Sequence, residues 1–194
     1  FDQYADRFDA HLVKGLSYSV PEQIVAMIRE AVTADPQTWR VLDLGCGTGL
    51  IATALGPGVG HLVGVDLSGN MLAKARTLDV YDRLEQAELV AMMQAESAQA
   101  YTLVIAADVL VYFGSIEALL REARRVLQPD GILAFSVEEL DAPPSGATTA
   151  SPSPDFLLRD TGRYAHAWPY IERLAAESGF TVDAMKRIDV RVNL

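Results

Sequence analysis

Two carboxylates and three glycines are spaced for ligand chemistry. Asp43-Leu44-Gly45-Cys46-Gly47-Thr48-Gly49 closes the apolar run WRVLDL (39–44), and Asp66 ends a second apolar run, HLVGVD (61–66). Glycines between a strand and a helix let the backbone turn sharply and let a ligand lie against it with no Cβ in the way. The helix start offers free N–H groups. A carboxylate at the next strand end, about 20 residues after the loop begins, accepts hydrogen bonds from both hydroxyls of a ribose. The pair predicts a nucleoside-type cofactor at the carboxyl ends of the strands.

Two cofactors fit that layout. A dinucleotide calls for G-x-G-x-x-G, but Leu50 stands where its third glycine belongs. Asp43, ahead of the glycines, opposes a pyrophosphate and suits an ammonium. The spacing favours S-adenosyl-L-methionine over NAD(P), the cofactor of an oxidoreductase. A glycine-rich turn without a ligand would leave the surrounding pattern unexplained.

Other residues are candidates for the acceptor side. His166 follows a long loop in Arg163-Tyr164-Ala165-His166 and is the candidate general base; the competing reading is a packed or capping histidine. His11, in the N-terminal segment, is a candidate for the pocket entrance. Tyr112 lies just past an apolar strand, where acceptor pockets form. Arg163 suits an acidic acceptor, or is a surface arginine. Cys46 reads as a small packing residue, and Trp39 and Trp168 as core or interface anchors. The three histidines show no metal-ligand spacing, so no metal is expected.

Those residues need a scaffold. A helix is predicted from near Ser19 with Pro21 at its first position. Strands are predicted at 39–44, 61–66, 84–90, 101–107 and 132–137. Helices are predicted at 49–55, after Ser68 as cap, at 115–127 and at 168–177. Pro129-Asp130-Gly131 reads as a turn, and the tail (180–194) as two short β-rich runs. Short apolar strands alternating with helices indicate a mostly parallel sheet covered on both faces. Residues 141–154, DAPPSGATTASPSP, read as a long surface loop, of the kind that serves as lid or connector.

Composition narrows the classes. The chain has 194 residues, half of them hydrophobic, enough for one core. Its formal charge of −10 argues against nucleic acid as partner. No apolar run suggests a membrane span, and no leader is visible at the start. One cysteine suits a reducing compartment, and the expected location is the cytoplasm.

Together, VLDLGCGTG (41–49), VGVDLSGNML (63–72), YTLVIAADVLVY (101–112) and LQPDGILAFSV (127–137) resemble the class I S-adenosylmethionine-dependent methyltransferases. FDQYADRFDAHLVKGLSYSVP (1–21) and DTGRYAHAWPYIERLAAESGF (160–180) resemble a poorly characterised bacterial branch associated with tetratricopeptide repeats. The malonyl-carrier-protein methyltransferases are a more distant likeness. The resemblance implies a three-layer α/β/α Rossmann-like fold whose mostly parallel seven-stranded sheet has an antiparallel last strand. It implies that Gly45 and Gly47 line the methionine, that Asp66 takes the ribose and that Leu67 packs on the adenine. Glu88 would reach the adenine amino group, with Leu89 beside it. Ala106 would offer a carbonyl to the methionine ammonium, Asp108 would face the methyl donor, and Tyr4 and Phe8 would close over the cofactor. Thr102 departs from the family's usual Asp. AADV after the fourth strand departs from the N/D-P-P-Y of amino-group methylation.

The expectation is a single methyltransferase domain over 1–194: lid helices in 1–35, a cofactor-binding core in 39–137 and an acceptor side in 141–170. The expected reaction is methyl transfer to a small-molecule acceptor, at oxygen. The alternatives are a carrier-bound acyl group, a protein side chain, or a non-catalytic adenosylmethionine-binding module.

Overall fold

The computed structural model describes residues 19–140 and 154–188. Chain order gives α1 (Val20–Ala31), β1 (Arg40–Leu44), α2 (Leu50–Leu55), β2 (His61–Asp66), α3 (Gly69–Arg76), β3 (Arg83–Gln86) and α4 (Leu89–Ala95). There follow β4 (Tyr101–Ala106), α5 (Glu117–Val126), β5 (Leu127–Phe135), β6 (Glu138–Glu139), β7 (Phe156–Leu158), β8 (Tyr164–His166) and α6 (Trp168–Glu177).

The strands β3-β2-β1-β4-β5 form one sheet, parallel at every pairing. Parallel neighbours need crossovers, and the helices between the strands supply them. The chain winds outward from β1 in both directions, so the connections after β1 and after β4 part at the sheet's centre. A ligand cleft forms at such a switch point.

Strand alternation builds two cores. Val41 of β1 packs with Ile24 and Ile28 of α1, Ile51 and Leu55 of α2, and the buried Trp39. Leu42 and Leu44 face the other way, against Met93 of α4, Leu119 and Leu120 of α5, and Ile171 and Leu174 of α6. The result is three layers. Asp43 falls on the same face as Val41, in a strand buried from its second residue onward. Trp168, the other expected anchor, packs partly buried against the second core.

Local signals fixed several ends. Ser68 accepts from Met71 N at 3.2 Å and caps α3. Pro21 sits in the first turn of α1, where a missing N–H is tolerated. Thr102, in place of the family's Asp, accepts from Arg40 N at 2.9 Å and ties the start of β1 to β4.

Other expectations need correction. The main sheet has five strands among the described residues, all parallel; two further strands and an antiparallel last strand are not found in it among those residues. The antiparallel pairing lies in a separate sheet, β6-β8-β7, between β7 and β8. The predicted strand 84–90 ends at Gln86. Glu88 accepts from Ala91 N at 2.8 Å, which turns the chain into α4. Pro129-Asp130-Gly131 does not end an element: β5 runs through it, and its pairing with β4 jumps from Tyr101↔Leu127 to Leu103↔Ile132. Residues 181–188 form no strand; the rest of the tail lies outside the described residues.

Candidate functional site

The turn after β1 uses the freedom that only glycine has. Gly45, Gly47 and Gly49 all have positive φ, at +66°, +53° and +93°. A Cβ at Gly45 would meet Val109 Cγ2 at 2.5 Å, so the segment after β4 lies directly on the turn. A Cβ at Gly47 would meet nothing within 4 Å among the described residues. That open side is where a ligand can approach the backbone.

Asp66 faces this turn from the tip of β2. Its Oδ2 accepts from Gly47 N at 2.9 Å, and its Oδ1 from Ser68 N at 2.8 Å. Each carboxylate oxygen carries a second lone pair, which leaves acceptor capacity for a sugar's two hydroxyls. Leu67, the next residue, is 67% exposed, an apolar surface that a flat ring can cover. Open backbone, a directed carboxylate and an uncovered apolar side chain fit an adenosyl amino acid.

Asp43 lies below the turn, 1% exposed. Tyr81 donates its hydroxyl to Asp43 Oδ2 at 2.7 Å. Burial pushes the Asp43 carboxyl up to about 7, the Tyr81 bond lowers it, and the nearby Asp66 charge raises it. Cys46 is buried, and burial pushes its thiol well above the ordinary range, which suits packing rather than reactivity.

On the far side of Val109 the residues assemble differently. Ala106 ends β4; its carbonyl already accepts from Ser136 N at 3.1 Å, with one lone pair left for a ligand. Asp108 adopts a left-handed φ of +53°, and its N–H donates to Ser136 Oγ at 2.8 Å. Its carboxylate accepts from Arg163 Nη2, while Arg163 Nε donates to Glu138 Oε1 at 2.5 Å. The guanidinium stands 5.7 Å from the centre of the Tyr112 ring, itself 44% exposed. Asp108, Tyr112 and Arg163 are therefore neighbours: the residue expected to face the methyl donor lies beside two of those expected on the acceptor side. Arg163 is no surface residue awaiting an acidic acceptor. Its side chain is 11% exposed and already paired with two carboxylates.

The structure does not support a base at His166. The ring is 1% exposed, stacked on Tyr170 at 6.1 Å and flanked by Phe156. Its Nε2 lies 3.0 Å from Gly114 O, and Nδ1 is buried with no hydrogen-bond partner among the described residues. Since a carbonyl only accepts, Nε2 carries the proton and Nδ1 is the bare nitrogen. Burial lowers the ring's pKa, which keeps it neutral. This is a packed histidine.

Glu88 is exposed and caps α4 with one carboxylate oxygen, while Leu89 is buried at the start of that helix. Tyr4, Phe8 and His11 lie outside the described residues, as does most of the 141–154 loop. No group of three or more potential metal ligands occurs among the described residues. No described helix is long and apolar enough to cross a membrane.

Sequence reasoning missed Tyr81, Ser136 and Glu138. One signal pointed to Tyr81: a lone glycine, Gly64, inside an apolar strand, where a glycine marks close approach by another group. Ser136 and Glu138 follow β5 with no pattern that sets them apart.

Comparison with known proteins bears on the same segment. Residues 42–135 match the methyltransferase domain family. Methyltransferase-like protein 27 of Homo sapiens is 38% identical over 85 residues, covering 43% of this chain and 34% of its own length. The malonyl-[acyl-carrier protein] O-methyltransferase of Enterobacter lignolyticus is 36% identical over 105 residues, covering 54% of this chain and 41% of its own. The chain thus spans less than half the length of these two relatives. Among solved structures, an S-adenosylmethionine-dependent methyltransferase from Mesorhizobium loti superposes with a TM-score of 0.59 and 22% identity, over 82% of this chain and 81% of that one. That likeness shows the three-layer Rossmann-like fold.

Proposed function

We propose that the chain, with a methyltransferase domain matched over residues 42–135, binds S-adenosylmethionine on the glycine turn and passes its methyl group to a small-molecule acceptor, at oxygen. The observation that carries this reading is Asp66. Its carboxylate turns toward Gly47 N, with the open side of Gly47 beside it. The name of the Enterobacter relative supports oxygen as the acceptor atom. AADV in place of an N/D-P-P-Y block supports it too.

When bound, the cofactor supplies a methyl group already activated by a sulfonium. The chain's residues hold and align. Asp66 grips the ribose, Leu67 packs on the adenine, with Glu88 and Leu89 at its edge. Gly45 and Gly47 let the methionine lie against the backbone, and the Ala106 carbonyl faces its ammonium. Asp108, held by Ser136 and Arg163, stands on the acceptor side with Tyr112. Holding donor and acceptor in line can lower the barrier by roughly 7–11 kcal/mol. No base is assigned to the chain's histidines. The N-terminal segment, with Tyr4, Phe8 and His11, and the region 141–170 would complete the lid and pocket.

Thermal unfolding tests the cofactor. A ligand at about a hundredfold excess over Kd stabilises by about 2.7 kcal/mol. That raises Tm by about 5–10 °C for a chain of this size. Adenosylhomocysteine is expected to give such a rise and NADH none. The reverse result overturns the reading.

A further inference from the structure

Tyr81 belongs to no motif, yet it is closely fitted to the glycine turn. It lies between α3 and β3, and its ring passes over β2 to reach β1. A Cβ at Gly64 would meet Tyr81 Cε1 at 2.8 Å, and a Cβ at Gly49 would meet Cε2 at 3.3 Å. The ring therefore fits between a glycine of β2 and the glycine that caps α2. At the end of this passage the hydroxyl donates to Asp43 Oδ2 at 2.7 Å. Asp43 stands two residues before Gly45, and nothing in the alignment chemistry above uses it.

A buried carboxylate with one donor among the described residues is finely balanced. Burial favours its neutral form, the Tyr81 bond favours the charged form, and the two leave Asp43 at about 7. Asp66, at the tip of β2, also raises it, and Asp43 in its own right raises the thiol of Cys46 in the turn. In register on β4, Asp43 meets Ile105, which does not titrate. Tyr81 itself is pushed far up, chiefly by burial and then by Asp43, so it remains a donor. Tyr81 also lines a polar cavity of about 200 Å³ with Arg76, Asp79, Asp82 and Arg83.

We propose that Tyr81 is a positioning residue that sets the charge on Asp43, and that this charge lets the turn hold the cationic methyl donor in preference to the spent product. This rests on the reading that the turn binds S-adenosylmethionine. The donor carries one more positive charge than adenosylhomocysteine, because its sulfur is a sulfonium. Ionised Asp43 attracts that charge; protonated Asp43 does not distinguish the two ligands. Binding the donor therefore expels a proton from Asp43, and losing the methyl group weakens the hold.

Isothermal titration calorimetry with both ligands, between about pH 6 and pH 8.5, tests this. The ratio of donor affinity to product affinity is expected to rise about tenfold with pH, an interaction equal to about one pKa unit. Tyr81→Phe removes the donor that favours the charged carboxylate, so the rise moves to higher pH. Asp43→Asn abolishes it. A flat ratio in the unaltered protein overturns the proposal. So does a Tyr81→Phe variant that weakens both ligands equally at every pH, since a mere wedge would do that. If the variant does not fold, the unaltered protein still decides the matter. Titrations near neutral pH in two buffers of different ionisation enthalpy must show more protons released by the donor than by the product. Equal release overturns the proposal, because the amino group shared by the two ligands cancels. Binding of neither ligand overturns the functional reading itself, whereas tight binding with a flat ratio overturns this inference alone.

Discussion

The two sides of Val109 are built on different principles. On one side, the glycine turn and Asp66 form a site from backbone. Its contacts are N–H groups, positive φ angles and one carboxylate, all within residues 43–68. On the other side, Asp108, Glu138 and Arg163 form a site from side chains, drawn from positions 55 and 25 residues apart. A backbone site has its geometry fixed by residue type and local spacing. A side-chain site depends on tertiary packing, so its partners can change while the fold stays. The comparison matches the division of labour proposed here: a fixed cofactor grip, and a variable acceptor side.

Asp66→Ala is the sharpest way to break that comparison. Hydrogen bonds to a charged group contribute about 1.5–3 kcal/mol each. Losing two to a bound ribose is expected to weaken adenosylhomocysteine binding by roughly a hundredfold or more, measured by calorimetry. The fold should persist, because Asp66 lies at a strand tip and is only partly buried. Undiminished binding would mean that the ligand does not lie where the turn and the carboxylate meet.

The glycines provide a paired test. Gly45→Ala combines a φ of +66° with a Cβ placed 2.5 Å from Val109. The strain and the overpacking together should cost about 2–4 kcal/mol in urea unfolding. Gly47→Ala has a similar φ of +53° but no neighbour within 4 Å among the described residues, so its stability cost should be only about 1 kcal/mol. Its Cβ projects into the space assigned to the ligand, and cofactor affinity should fall more than stability does. Equal behaviour of the two variants would remove the distinction between a packing glycine and a ligand-facing one.

That distinction also explains what could be read in advance. β1, α2, β2 and the Ser68 cap were legible because glycine, proline and serine act through local backbone chemistry. Helix 168–177 was legible because its apolar residues recur at helical spacing, with Gly179 just beyond. LEQAELV (84–90) was misread because it holds a strand end, a capping glutamate and a helix start within seven residues, too short a run for either period to declare itself. The small sheet β6-β8-β7 was not foreseen, since its strands have two or three residues each. Arg163 and Asp108 were each singled out from sequence, but not Glu138, and not that the three meet. Nothing in the spacing brings residues 108, 138 and 163 together.

Arg163→Met tests the acceptor side. It keeps an apolar stem and leaves Asp108 facing Glu138 with no cation between them. Breaking a fully buried pair costs about 3–5 kcal/mol. This pair is part-exposed, so screening should bring the loss to about 2 kcal/mol. The expected signature is reduced turnover with adenosylhomocysteine affinity changed less than threefold. A large loss of cofactor affinity instead would show that the two sides are one coupled site.

The smallest effect is expected at His166, and it carries a sign. Burial lowers the folded ring's pKa, so between that value and the unfolded value of about 6.5 the unfolded chain binds more protons. The neutral packed ring thus favours folding above about pH 6.5, and that contribution is lost as pH falls through this range. His166→Phe keeps a ring among Phe156 and Tyr170 and removes Nδ1, which has no partner among the described residues, at the expense of the bond to Gly114 O. The two changes oppose each other, and neutral-pH stability should shift by less than about 1 kcal/mol. The acid-side decline should become shallower, because phenylalanine cannot take up the proton. Turnover should survive, since the ring packs in the core and takes no proton from an acceptor. A variant of unchanged stability whose turnover falls a hundredfold would restore His166 as a base, and would place chemistry in the part of the molecule here assigned to packing.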